Sequence, residues 1–255
     1  MKNFVPLLSG AFTALADLLL PRRCLVCGRV LGRWEDHLCI YCREDFPFAH
    51  FSSRVHNPMA DSLNAMLEAL SPEGFHGPYI YATALFLYHS ENRFGNVSRV
   101  LKYGGNIRAG RYFGAALGRE IASSGHLADV DLVVPVPLHP LRRLRRGYNQ
   151  AEVIAGAVAR ETGAGLCVRA LRRRRRTSTQ TRLGAAERVG NVSGAFTPSG
   201  YFKRLIMNDF PYSHILVVDD VSTTGATLAA CVKALSAILP SGVRVSVATL
   251  GCVYR

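Results

Sequence analysis

Outside its N-terminal segment the sequence has no run of eighteen uncharged residues, so no membrane-spanning helix is expected there. The N-terminal segment itself, "FVPLLSGAFTALADLLL" at residues 4–20, is short for a span and is interrupted by Pro6 and Asp17. The "PRRC" that follows is not a small-residue cleavage site. Residues 1–20 are therefore expected to form an amphipathic helix packed on the next module of a cytoplasmic protein. Acidic residues are scarce, 18 against 31 Lys and Arg, which leaves a net charge of +13. Lysine is missing altogether from residues 131–190, where thirteen Arg face four acids. Such an excess fits a polyanionic partner or a solvated basic face. There is no internal repeat. Cysteines number seven, an odd count with four of them clustered, which argues against a secreted disulfide framework.

With 49% hydrophobic residues, the chain can bury one core of roughly 170–200 residues and still carry a small extra module. Residues 21–50 read as that module and 51–78 as a connecting region with a helix near 59–70. From 79 onwards strand and helix patterns alternate. Strands are expected at 79–89, 131–138, 166–171, 215–219 and 243–253. Helices are expected over "NVSRVLKYGG", "RYFGAALGREIASS", residues 149–163 and residues 225–239, the last two with apolar residues at helical spacing. This alternation predicts an α/β fold: a parallel sheet with flanking helices over 79–255. Residues 172–195 are basic and patternless, and Cys167, Cys231 and Cys252 read as small core residues.

The most informative stretch is "HILVVDDVSTTGAT", residues 214–227. A buried strand runs into Asp219 and Asp220, and "VSTTGAT" then turns the chain into a helix. Ligands of parallel sheets bind beyond the carboxyl ends of the strands. Amide groups of the turn and the helix N-terminus form an anion cradle. Thr223, Thr224 and Thr227 can add hydroxyls, and Gly225 permits close backbone approach. Two carboxylates would repel the phosphate itself but accept hydroxyl hydrogen bonds strongly. A sugar diol one bond from a phosphate satisfies both halves, which points to a ribose 5-phosphate.

This stretch resembles the ligand-binding signature of type I phosphoribosyltransferases, with Ser222 where an aliphatic residue is usual. "DLVVPVPLHPLRRLRRGYNQAEVIA", "TSTQTRLGAAERVGNVSGAF" and the four-Cys head are similar to the ComF, or GntX-like, family. The resemblance implies a type I phosphoribosyltransferase-like domain that uses 5-phosphoribosyl 1-pyrophosphate (PRPP) with Mg²⁺ and an unidentified acceptor. Asp219 and Asp220 would serve as catalytic, ribose-holding acids, and Val221, Ser222, Thr223, Thr224, Gly225, Ala226 and Thr227 would surround the 5-phosphate. It further implies that pyrophosphate meets the basic turn after the 131–138 strand, with Arg142, Arg143, Arg145 and Arg146, and a lid carrying Arg176, Thr177, Gln180, Arg188 and Asn191. A link to DNA uptake in natural competence is implied as well. The alternative is a protein that handles single-stranded DNA on a non-catalytic fold, with contacts to the competence machinery. The arginines favour it, although aromatics for stacking are few in 131–195 and no RRM or helix-turn-helix pattern occurs.

Two CxxC pairs, Cys24 with Cys27 and Cys39 with Cys42, are separated by eleven residues. Two such knuckles can supply four thiolates to one tetrahedral ion. A closed, structural Zn²⁺ ribbon is expected, with a redox-active dithiol pair as the other reading. His37 reads as a packing residue. No base-recognition hood is recognisable in residues 43–130.

Overall fold

The computed structural model describes residues 21–71, 75, 77–88, 93–103, 105–173 and 194–253. The expected helix over 1–20 lies outside them, as do Arg176, Thr177, Gln180, Arg188 and Asn191. In chain order the elements are α1 (Ile40–Glu44), a 3₁₀ turn (Phe51–Ser53), α2 (Pro58–Ala69), β1 (Ala82–Tyr88), α3 (Gly95–Tyr103) and α4 (Ile107–Ala122). There follow β2 (Leu132–Pro135), α5 (Pro140–Arg146), α6 (Gln150–Thr162), β3 (Gly165–Leu166), β4 (Leu171–Arg173), β5 (Phe196–Pro198) and α7 (Gly200–Met207). The chain closes with β6 (His214–Ser222), α8 (Ala226–Ser236) and β7 (Arg244–Val253).

Five strands form the parallel sheet, in the order β1-β7-β6-β2-β3, as the alternating sequence pattern predicts. Its central strand β6 is apolar on both faces because both are covered. Leu216 and Val218 pack with Phe113, Ile154 and Val158 of α4 and α6. Ile215 and Val217 pack with Leu63, Leu228 and Val232 of α2 and α8. Asn149 caps α6, accepting from the Ala151 amide, while its own amide group donates to the Val136 carbonyl and so ties the helix to the end of β2. Helices α4 and α6 meet closely. A methyl group on Gly114 would lie 2.9 Å from the Ala157 Cβ and 3.0 Å from the Ile154 carbonyl oxygen.

Three local expectations are corrected. The strand expected at 166–171 is two short pieces, β3 and β4, separated by a turn at 168–170. β4 leaves the main sheet and pairs antiparallel with β5. The turn expected around Arg142 is the helix α5, with Pro140 at its first position and the His139 ring accepting from the Leu141 amide. β6 does not stop at Asp219. It runs to Ser222, because β7 continues to offer ladder partners as far as the Ser222–Cys252 pair.

The cysteine module shares a core with the sheet. Cys24, Val26, Leu38, Cys39, Cys42 and Phe46 belong to the same buried cluster as Phe86 of β1 and Phe113 of α4. Just beyond α1, the chain at Phe46 to Ala49 lies along the outer edge of β1: the Leu87 amide donates to Pro47 and the Ala49 amide to Leu85. That covers the edge of β1 that faces away from β7.

Candidate functional site

The ladder explains where the site opens. β2 pairs with β6 only as far as Pro135 and Val218, after which the Val136 amide makes a last bond to the Val218 carbonyl. From Asp219 onward β6 keeps β7 on one side and loses β2 on the other. A crevice at a strand's carboxyl end results, the position at which open parallel sheets receive ligands.

Successive strand residues point to opposite faces, and the two acids do so. Asp219 lines a small concavity of about 30 Å³ together with Val221, Ser222, Thr223, Thr224, Gly225, Ala226 and Thr227. Its carboxylate also accepts from the Asp220 amide at 2.8 Å. Asp220 is on the other face, where its charge helps to raise the Tyr148 phenol above its ordinary range, a shift due chiefly to burial. The loop residues expected to cradle an anion are thus together with one acid, and the second acid flanks the strand from behind. Gly225 precedes α8 with φ +75°, the left-handed conformation glycine adopts freely. This turn directs the chain into the helix N-terminus beside Thr223 and Thr224.

Cations approach from two sides. Arg173 of β4 is half-buried; burial holds its guanidinium below the ordinary value, nearby Arg142 adds to this, and Cys231 and Asp219 oppose it. Arg142 and Asp219 are therefore both electrostatic neighbours of Arg173. Arg146 lies toward Tyr148 and reaches Gln150 at 3.3 Å. The Tyr148 hydroxyl donates to the Leu101 carbonyl at 2.6 Å, as Gln150 does at 3.3 Å, so α3 walls the Asp220 side. Sequence reasoning did not single out Arg173. It sits inside a run of five arginines, and only its register in β4, between exposed Arg172 and the Phe196 ring, distinguishes it.

The four cysteines converge. Their Sγ atoms all lie within 4.8 Å of one another, and Cys27 and Cys39 are 3.7 Å apart. Metal–sulfur bonds of about 2.3 Å in a tetrahedron place sulfurs about 3.8 Å apart. The thiols are not equivalent. Burial pushes Cys24 up, but amide groups of Cys27, Cys39 and Val26 outweigh it and bring the thiol down to about 7. Burial raises Cys39, and burial together with the neighbouring cysteines raises Cys42 strongly. Cys24 forms a thiolate readily while Cys39 and Cys42 resist, so ionising these together needs a cation among them. The donor set fits a closed structural metal site; among the described residues it is the only group of three or more His, Cys, Asp or Glu side chains placed so that it could hold a metal ion. His37 is not in it, and its ring packs edge-on against Tyr112 at 4.9 Å. Cys167 and Cys231 are buried core residues, and Cys252 is partly buried.

No family model matches the chain. Sequence relatives do. Competence protein F of Haemophilus influenzae is 37% identical over 98 residues, 38% of this chain and 41% of that protein. DNA utilization protein YhgH of Salmonella typhi is 35% identical over 99 residues, 39% of this chain and 40% of that protein. YhgH of Escherichia coli is 37% identical over 101 residues, with the same coverage. Over this segment the chain is similar to competence protein F and to the YhgH proteins. The matched segment spans about two fifths of the length of these curated relatives. Among the described residues no helix is long and apolar enough to cross a membrane.

Proposed function

We propose that the chain binds PRPP at the end of β6 and transfers its phosphoribosyl group to an acceptor, in a protein that serves DNA uptake. The carrying observation is the grouping of Asp219 with the Val221 to Thr227 turn and the start of α8 where β2 leaves the sheet. The 5-phosphate rests on the turn amides and the Thr223, Thr224 and Thr227 hydroxyls. The ribose straddles the strand end, its hydroxyls donating to Asp219 on one face and Asp220 on the other. Pyrophosphate extends toward Arg142 and Arg146, with Arg173 a further neutralising charge on the Asp219 side.

In the reaction the bond from C1 to the pyrophosphate oxygen breaks with its electron pair going to pyrophosphate. The acceptor's lone pair forms the new bond to C1, and the acceptor then loses a proton. Cationic charge develops on the ring beside two carboxylates, and anionic charge on the leaving group beside arginines, which is the electrostatic arrangement such a step needs. Mg²⁺ would enter on the pyrophosphate oxygens. The cysteine set takes a structural Zn²⁺, with four thiolates and no open position. The domain reading that accompanies this is a Cys₄ module over 21–50, a connector over 51–78 and a phosphoribosyltransferase domain over 79–255. The words "competence" and "DNA utilization" in the relatives' names support the DNA-uptake setting.

Calorimetry with PRPP and Mg²⁺ tests binding: saturable heat is expected for the wild type and none for Asp219→Ala/Asp220→Ala. No heat from the wild type at millimolar PRPP refutes the reading. Pyrophosphate release in the presence of purines, pyrimidines, ammonia or oligonucleotides then identifies the acceptor, and binding without release under all of them refutes catalysis.

A further inference from the structure

A hollow of about 210 Å³ adjoins the phosphate turn, whose own concavity is about 30 Å³. Its apolar lining is buried: Phe51, Met59 and Leu63 from the connecting region and Leu228 from α8. One side is the carboxyl end of β7, at Cys252 and Val253, and another is the turn itself, Ser222 to Gly225. Ser62 lines it from an exposed position. Among the described residues none that lines it is charged. Cys252 is no exception, since burial pushes its thiol up to about 11.

The connecting region, which carries no recognisable base-binding pattern, is held in place by two side-chain amides. Asn57 caps α2, accepting from the Ala60 amide at 3.0 Å and donating to the Ala82 carbonyl at 3.0 Å. Asn64 donates to the Ile80 carbonyl at 2.9 Å and accepts from the Ile80 amide at 3.0 Å. Both bonds tie α2 to the chain entering β1, and Leu63 is thereby set against the turn at Gly225. The strand order β7-β6-β2 places the hollow and the arginines of α5 on opposite sides of β6. A sugar at the end of β6 then has Arg142 and Arg146 on its pyrophosphate side and the hollow on the other, as a displacement at C1 requires.

We infer that the hollow receives the acceptor, and that the acceptor is an uncharged nucleobase selected by Phe51, Met59, Ser62 and Leu63. This rests on the phosphoribosyl reading and names its missing substrate class. A flat ring buries its faces against the aromatic, thioether and aliphatic groups. Its polar edge can pair with the Ser62 and Thr224 hydroxyls. A charged acceptor would lose its water with no counter-charge to meet it, and ammonia is too small to gain from the apolar lining. In the transfer a ring nitrogen's lone pair forms the bond to C1 while the bond from C1 to oxygen breaks, its electron pair going to pyrophosphate. The proton on that nitrogen then passes to the departing pyrophosphate.

The test titrates adenine, uracil and orotate, a carboxylated pyrimidine, onto the full chain holding ribose 5-phosphate. That sugar has no leaving group, so calorimetry reads binding without turnover. Heat is expected with adenine or uracil and none with orotate, and pyrophosphate release from PRPP should show the same preference. Ser62→Trp fills the hollow from an exposed helix position. It is expected to weaken base binding by at least about tenfold, the scale on which apolar pockets discriminate, while PRPP affinity stays at the wild-type value. Orotate binding as well as the neutral bases overturns the inference. So do unchanged base binding in Ser62→Trp, no binding by either neutral base, and release supported by ammonia alone. PRPP heat without a base response overturns this inference only, whereas absence of PRPP heat overturns the phosphoribosyl reading and this inference with it.

Discussion

Asp219 and Asp220 are neighbours in the chain but not on the strand, and single substitutions should separate them. Asp219→Asn removes the charge beside the phosphate turn, and Asp220→Asn the charge beside Tyr148. Charge-assisted hydrogen bonds contribute about 1.5–3 kcal/mol each, so either change is expected to weaken PRPP binding by at least tenfold in calorimetry. An effect confined to Asp219 would show that the ribose lies wholly on the α8 face. Gly225→Ala tests the turn. The new methyl has room, its nearest neighbour outside the turn being Leu63 at 3.9 Å. The cost is the left-handed backbone, roughly 1 kcal/mol of stability in urea unfolding. The grouping of Asp219 with the turn was legible because acid, hydroxyl and glycine occur in one contiguous run. The divergence of the acids was not, since it depends on β6 continuing to Ser222, and that extension is set by how far β7 runs beside it.

At the scale of elements, the helices with a clear apolar stripe and a cap were readable, as α6 is between Asn149 and Gly163. Elements whose stability is tertiary were not. α7 is eight residues long and is held by one buried ring, Phe202, and by the Ser199 cap that accepts from the Phe202 amide. β4 exists because β5 pairs with it from across the chain. The start of α4, residues 107–110, lies ahead of the expected helix because Gly110, a poor helix former in isolation, is placed where Val153 of α6 approaches. Gly114 is the tightest point against backbone. Gly114→Val forces larger groups against the Ile154 carbonyl and the Ala157 methyl, so it should destabilise the protein by about 1–3 kcal/mol. Urea unfolding measures this, and an unchanged midpoint would mean that α4 and α6 separate without cost.

At the scale of the molecule, two features couple distant parts of the chain. At the amino ends of β6 and β7, His214 is fully buried. Its Nδ1 meets Asp129 at 2.8 Å and its Nε2 meets the Ser246 hydroxyl at 2.7 Å. Burial holds the imidazole below its ordinary pKa, with Asp131 partly opposing, so the fold keeps it neutral: Nδ1–H donates to Asp129 and Nε2 accepts from Ser246. As pH falls below about 6.5 the unfolded chain takes up the proton first, and stability declines until the folded pKa is passed. Urea unfolding at pH 7.5 and 5.5 should show this loss, and His214→Gln should reduce the difference between the two. The second coupling is the cysteine set. Its buried members share one cluster with Phe86 and Phe113, so the module has no separate core on which to unfold. If the set holds a metal ion, chelating it would leave buried thiols together without a counter-charge and would loosen the chain lying along the β1 edge. Calorimetry of the chelated protein, or of Cys39→Ser, should therefore show one transition at a lower temperature. A small early transition followed by an unshifted main one would mean that the ribbon folds by itself and that its contacts with the sheet carry little stability.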